Sequence, residues 1–446
     1  MSSTVELQGF TASGLELLED LDGYLSDSSL PVIPSTFGTA CDLPAELLED
    51  ICLYLDLASL ASFRLACRRI YLATTNCNYK LAFNVTSTDL SLRSLDRLDW
   101  IIRDEFKAPH VKTLLVTPYN QDHRRTGRHA PVPWAFDAYG QLMLPQAGSR
   151  WLQEIIWRLP NCQSFWFSQS SEAGGGNRRI HRPTIADAVA TILPALADVK
   201  RKVKEFHFVS NDQSHYDLTP ILKLGPVGHA GCPEIWSDLQ SLCIECNKLL
   251  DRVPATEFGL RIPPYAPKLR DLSLTFDRYM NSERVPDVIH GLFASEFPFR
   301  LESLTLQNAS CIDGALLARF LLRHSTTLRN LLLSGIHLTR GPWLTILESL
   351  GARNRFPRLE SIRFDRLSEG VTECQHLDFA RVLQDPVVNQ AAKTEIECFA
   401  VTAWQRGQVY DCVSYSGPKM HVALKKIAHT AVLGEAHGVH LKVEGA

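Results

Sequence analysis

Cysteine and histidine are the side chains of this sequence best able to do chemistry, and it has 12 of the first and 15 of the second. Cys243 and Cys246 form a C-x-x-C pair, the spacing of a shared metal ligand set. Their surroundings, LQSLCIECN, read as a strand, and residues three apart on a strand point to opposite faces, so no metal is expected there. The histidines are dispersed, and none stands four residues from a second ligand type in a metal-binding pattern. Gly-x-Ser-x-Gly, His-Glu-x-x-His and the Gly-x4-Gly-Lys-Ser/Thr phosphate loop are all missing. Gly225, Gly228 and Gly231 make a glycine-rich stretch without the strand-to-helix context of a dinucleotide site, and it reads as a loop. No catalytic residue, cofactor or metal is expected, and the chain is not expected to be an enzyme.

What remains for function is surface, and the elements that would present it repeat. An apolar residue, two others, an apolar residue, one other and an apolar residue recur from Val111, Cys162, Val203, Leu239, Leu269, Leu301, Leu328 and Leu359, with a further candidate at Ile396. The starts lie 27 to 51 residues apart. Helix patterns stand between them: Arg150–Leu159, Thr184–Lys200 (which Pro194 should end or kink), Pro286–Phe297, Ala315–His324 and Pro342–Leu350. A unit of one short strand and one helix cannot close a core alone, but stacked neighbours can. Strand alternation sends the flanked apolar pair inward. It leaves Trp166, His207, Cys243, Ser273, Thr305, Leu332 and Arg363 on the outward face, beside Glu205, Glu245, Asp271, Gln307 and Asp365. Trp and Arg are frequent anchors of protein interfaces, which makes this row the candidate site for a bound protein.

The alternation resembles the leucine-rich-repeat pattern with two departures. The periods are mostly longer than the usual ~20–29 residues. The Asn that follows the strand in that family stands cleanly only at Asn247, with Asp277, Ala309 and Ile336 at the corresponding later positions. The expectation is an irregular solenoid over residues 111–370, with a C-terminal repeat and cap over 371–446. In that last part a helix is expected at His376–Gln384, and short strands or a capping element at Val409–Ser416, His421–Leu424 and Val439–Val443.

Ahead of the repeats, Asp42 to Thr74 reads as three short helices. Pro44 suits a helix start, where its missing N–H costs nothing. Leu47, Ile51 and Leu55 recur every four residues, with Leu48 and Cys52 beside them. Asp56 can cap a second helix carrying Leu57, Leu60 and Ala61. The third turns Cys67, Ile70 and Tyr71 inward and Arg68 and Arg69 outward. So short a segment cannot bury all its leucines internally, which points to a partner. Leu43-Pro44, Glu46, Leu47, Ile51, Leu55, Leu60, Arg64, Cys67, Arg68 and Tyr71 resemble the F-box family in order and type. The resemblance implies docking on a Skp-type adaptor, and through it on a cullin–RING ubiquitin ligase, with Leu43, Pro44, Leu47, Ile51, Leu55 and Leu60 as contact residues. F-box proteins with leucine-rich repeats hold the protein to be ubiquitinated on the outward residues, here Trp166, His207, Ser273, Thr305, Leu332 and Arg363. The alternative is a repeat scaffold whose F-box-like helices only cap the solenoid.

The remaining segments are an acidic, disordered arm over 1–40, the F-box over 41–80 and a linker helix over 81–110, carried by Leu92, Leu95, Leu98, Ile101 and Ile102. Basic clusters at His123–His129 and Arg178–Arg179 lie in long loops. The fold class is α/β. A net charge of 46 − 49 = −3 gives no nucleic-acid footprint. The absence of a long apolar run or a signal-peptide pattern excludes a membrane span and points to a reducing compartment, cytoplasm or nucleus.

Overall fold

The computed structural model describes residues 40–117, 134–135, 142–143, 146–168, 185–210, 232–246, 261–276, 285–371, 375–379, 399–402, 412–417 and 419–435. The acidic arm, Asn247, Asp277, the basic clusters, the glycine-rich stretch and Val439–Val443 lie outside the described residues. The chain divides into two compact units: residues 1–86, 98–114 and 158–162 form one, and residues 87–97, 115–157 and 163–446 the other.

The first unit starts with four helices in close succession: α1 (Ala45–Cys52), α2 (Leu57–Arg64), α3 (Arg68–Ala73) and α4 (Thr75–Phe83). Pro44 occupies the N-cap of α1. Asp56 caps α2, its carboxylate accepting from the Ser59 N–H at 2.7 Å, as the sequence suggests. That hydrogen bond holds the Asp56 carboxyl below its usual range. A small core gathers Cys52, Leu60 and Cys77, with Leu55 and Phe63 at its margin. The fourth helix, which the sequence reading leaves out, supplies Cys77, Ala82 and Phe83 to the interior.

Most of an eleven-stranded sheet lies in the second unit, the border of the units crossing its first two strands, and most of the recurring segments open one of its strands. Its strands, in spatial order, begin with β1 (Val85–Thr88), β2 (Thr113–Val116), β3 (Ser164–Ser168), β4 (Glu205–Ser210), β5 (Ser241–Cys246), β6 (Asp271–Thr275) and β7 (Ser303–Gln307). Next come β9 (Asn330–Ser334), β11 (Ser361–Asp365), β15 (Cys412–Ser416) and β14 (Phe399–Thr402). From β3 to β11 neighbouring strands are parallel, in chain order and in unbroken register. Parallel neighbours need a crossover. The described crossovers include α7 (Ile185–Asp198), the short α8 (Cys232–Ile235), α9 (Val285–Ala294), α10 (Gly314–Arg323) and α11 (Trp343–Gly351), while α6 (Ala147–Arg158) precedes β3. A second sheet of short strands runs β16 (Val432–Glu435), β13 (Gln375–Asp378), β12 (Ser368–Glu369), β10 (His337–Arg340) and β8 (Ile312–Asp313). Of the remaining helices, α5 (Leu92–Arg103) is divided between the two units and α12 (Met420–Thr430) lies near the C-terminus.

Successive strands are tied by backbone hydrogen bonds just past their ends. Phe276 N–H donates to Gln307 O, Asn308 N–H to Ser334 O, and Gly335 N–H to Asp365 O, at 2.9, 2.7 and 2.7 Å. These donors sit at one equivalent place, just past the strand. Asn308, Gly335 and Arg366, at that same place, all have positive φ, at 54°, 61° and 50°. The turn this makes buries the next residue, Ala309, Ile336 and Leu367, each at 0% exposure. An apolar side chain therefore fills the position where the repeat family carries Asn. A β-carbon on Gly335 would lie 2.7 Å from the Asn308 Oδ1, so close approach and backbone conformation both favour glycine.

Four expectations are corrected. Pro194 does not end α7: the helix runs through it. Val189, Ile192, Leu193 and Leu196 are 0–2% exposed. Burying each contributes about 1.5–3 kcal/mol, enough to offset the ~3 kcal/mol that an internal proline costs. His376 opens no helix. Residues 375–378 form β13, antiparallel to β12 and β16, with Leu377 alone buried among its four residues. His421–Leu424 is helical within α12, because Met420, Ala423, Leu424 and Ile427 are spaced for one helix face. The segment from Ile396 does not extend the parallel series: β14 pairs antiparallel with β15 at the sheet's end.

Candidate functional site

The four helices of the first unit split their apolar residues between two faces. Leu48 and Cys52 on α1, Leu60 on α2 and Ile70 on α3 are at most 1% exposed. Leu47 is 47%, Ile51 37%, Leu53 73%, Tyr54 89%, Leu65 57% and Leu72 62% exposed. A helix with leucines at both i and i+1 can satisfy only one of them inside, so Leu47 beside Leu48 and Ile51 beside Cys52 must face out.

The candidate contact residues therefore separate. Pro44, Leu47 and Ile51 are exposed, and Leu43 and Leu55 are half-buried. Leu60 is a correction: it is 0% exposed and belongs to the core. Sequence reasoning missed Leu53, Tyr54, Leu65 and Leu72. They lie at or just beyond helix ends, or between the apolar positions of a short helix, where periodicity carries no information.

Two arginines fix this layout. Arg64 is 5% exposed, and its guanidinium lies 4.1 Å from the centre of the Tyr71 ring. It also donates to Tyr71 O at 3.3 Å and Thr74 Oγ1 at 3.5 Å, so the buried charge is hydrogen-bonded. Arg69 donates to Leu43 O at 3.2 Å and so holds the Leu43-Pro44 entry against α3. The two core thiols are chemically quiet. Burial, with Cys77 close by, pushes the Cys52 thiol up to about 11, and burial likewise raises Cys77. A thiol held protonated is a poor nucleophile.

In the second unit the outward residues align as the repeat predicts. Trp166, His207, Cys243, Ser273, Thr305, Leu332 and Arg363 are consecutive partners in register, one per strand from β3 to β11. Each is half-buried, while the residues before and after it on its strand are mostly fully buried. Two parallel rows flank this one. One holds Glu205, Ser241 and Asp271, and the other Glu245, Thr275 and Gln307. Trp166 and His207 stack, with ring centres 5.0 Å apart and an interplanar angle of 14°.

Burial dominates the electrostatics of this face. Burial keeps His207 neutral to lower pH than usual. Burial, with Glu245 adding, pushes the Cys243 thiol up to about 11. Glu245 is raised by burial, and Asp271 by burial and then by Glu302. Among the described residues no group of His, Cys, Asp and Glu could hold a metal ion. No described helix is long and apolar enough to cross a membrane.

Comparison with curated proteins finds no match for the chain. The family comparison does, over the helices with the uncovered apolar band: residues 40–81 match the F-box domain.

Proposed function

We propose that this chain is the substrate-recognition subunit of an SCF-type (Skp–cullin–F-box) ubiquitin ligase. F-box domains bind Skp-type adaptors in such complexes, and the F-box match over residues 40–81 supports a role of this general kind. The observation that carries the reading is the band of exposed apolar side chains on that domain, led by Leu47, Ile51, Leu53 and Tyr54. Uncovered apolar surface of this extent marks an interaction site. Leu43, Pro44, Leu47, Ile51 and Leu55 are the proposed contacts, and Leu60 acts from the core by holding α2 in place.

We read the second unit as a degenerate leucine-rich-repeat solenoid that holds the target. Parallel strands in chain order and the shared left-handed turn at Asn308, Gly335 and Arg366 support this. Trp166, His207, Ser273, Thr305, Leu332 and Arg363 would face the target. The protein would then act by positioning, which raises the effective concentration of a target lysine near the charged ubiquitin carrier. No acid, base or nucleophile is needed from this chain.

The test uses Leu47→Ala with Ile51→Ala. Both side chains are exposed in the free chain, so the melting temperature should stay within a degree or two, on the order of what surface substitutions do. Co-purification with a Skp-type adaptor should be lost. Undiminished capture by the double variant would overturn the docking assignment.

A further inference from the structure

The outward face of the sheet carries three carboxylates that form no ion pair with a Lys or Arg among the described residues. Glu205 and Asp271 share one row, with Ser241 between them. Glu245 lies two rows away on the intervening strand, level with Thr275. No Lys or Arg occupies any of these three rows from β3 to β9. Arg270, next to Asp271 in sequence, lies 3.5 Å from Glu302 and also acts electrostatically on Asp271. Burial shifts His207, between the two rows of acids, toward its neutral form. Burial raises Glu245 and Asp271, and at Asp271 the nearby Arg270 offsets only part of that effect, an arrangement that recurs at functional sites.

A second observation lies on the same face. Thr275 is 6% exposed, and its hydroxyl has no hydrogen-bond partner among the described residues. The Trp166 indole N–H is buried and likewise unpartnered. Buried polar groups are normally satisfied, and each orphan calls for an explanation. An occupant that ends both deficits must bring cations, a carbonyl and an amide together. An extended peptide with basic side chains does so.

We propose that the face of β4–β6 takes an extended segment bearing Lys or Arg, with one basic side chain on Glu205 and another on Asp271. This rests on the reading of the sheet as the target-holding surface. The two acids stand two strands apart, about 10 Å at the usual strand spacing. A polyproline-type segment repeats its side-chain direction every third residue, about 9 Å. Basic residues three apart therefore meet the two carboxylates. Main-chain groups of the segment pair with Thr275 and Trp166. Nucleic acid is disfavoured, because its phosphates would face the same acids.

The experiment uses the full chain bound to its adaptor and labelled peptides read by fluorescence anisotropy. One peptide carries Lys at every third position, and its counterpart carries Glu there. The Lys peptide should bind, should weaken as salt rises, and should lose at least about tenfold in affinity with Glu205→Gln plus Asp271→Asn. The melting temperature of that variant should not fall, because no buried ion pair is broken. Equal binding of both peptides, or binding indifferent to the double variant, would overturn the proposal. A neutral or acidic peptide that binds, and is lost from a Trp166→Ala plus Arg363→Ala protein, would overturn the charge assignment and leave the receptor face standing. Failure of every peptide, with adaptor capture intact, would remove both.

Discussion

His324 shows how one side chain can be read for a consequence of burial. It is 2% exposed, stacked on Phe299 at 5.8 Å and set edge-on to Phe320 at 4.7 Å. Its Nδ1 accepts from the Leu301 N–H at 3.3 Å. Burial, reinforced by Arg300 and Arg323, lowers its pKa to about 4. The unfolded chain protonates this group near the ordinary value of about 6.5, so between these limits the unfolded state binds more protons than the folded one. Stability is therefore lost as pH falls from about 6.5 to about 4, by up to about 1.4 kcal/mol per pH unit. His324→Asn keeps an acceptor near Nδ1 and removes the titration, so urea midpoints measured over that range should fall less steeply than in the parent. Equal slopes would show that His324 is not the group responsible. At this scale the sequence was informative about residue type and less so about direction. Leu47 and Leu60 look alike in the chain, yet one is exposed and the other is core. The difference depends on how α1 and α2 rotate against α4, which periodicity over eight residues does not determine.

Among the elements, strands were the most legible. An apolar pair flanking one residue is a two-residue period, and most of the candidate repeats open a strand of the large sheet. The outward row could be named because strand alternation fixes which side chains share a face. Helices with an apolar stripe, such as α10 and α11, were equally legible. Local cues failed where tertiary packing outweighed them. Pro194 is a helix breaker that α7 absorbs, and His421–Leu424 carries strand-like residues that α12 takes up. The contact of α12 with α11 yields a prediction. A β-carbon on Gly351, at the end of α11, would lie 2.9 Å from the Lys425 backbone N. That is backbone against backbone and cannot be relieved by a side-chain rotation. Gly351→Val should cost about 1–3 kcal/mol, as overpacking does, and should lower the melting temperature. An unchanged melting temperature would mean that α12 is free to move away.

For the molecule as a whole, the chain divides into two compact units. The F-box unit extends past residue 80. Ala82 and Phe83 are buried in it, and Lys107 lies 3.5 Å from the centre of the Trp100 ring and 3.2 Å from the Asp104 carboxylate. A fragment of residues 40–114 should therefore melt cooperatively and at higher temperature than residues 42–80, as followed by circular dichroism. Equal melting of the two would show that Phe83 and Lys107 contribute nothing to that unit. Such a boundary was not legible, because Lys107 reads in the chain as solvated charge.

Along the parallel strands, neighbouring units also meet through charges of opposite sign. Asp238 stands 3.5 Å from Lys202 and 2.6 Å from Lys268. Glu302 stands 3.5 Å from Arg270, while Arg329 lies 3.9 Å from Glu302 and 3.0 Å from Glu360. Each exposed pair is worth at most about 1 kcal/mol, yet the alternation gives the array a parity. Removing or duplicating one strand-and-helix module in these stretches would bring like charges together, whereas removing or duplicating two would preserve the sequence of signs.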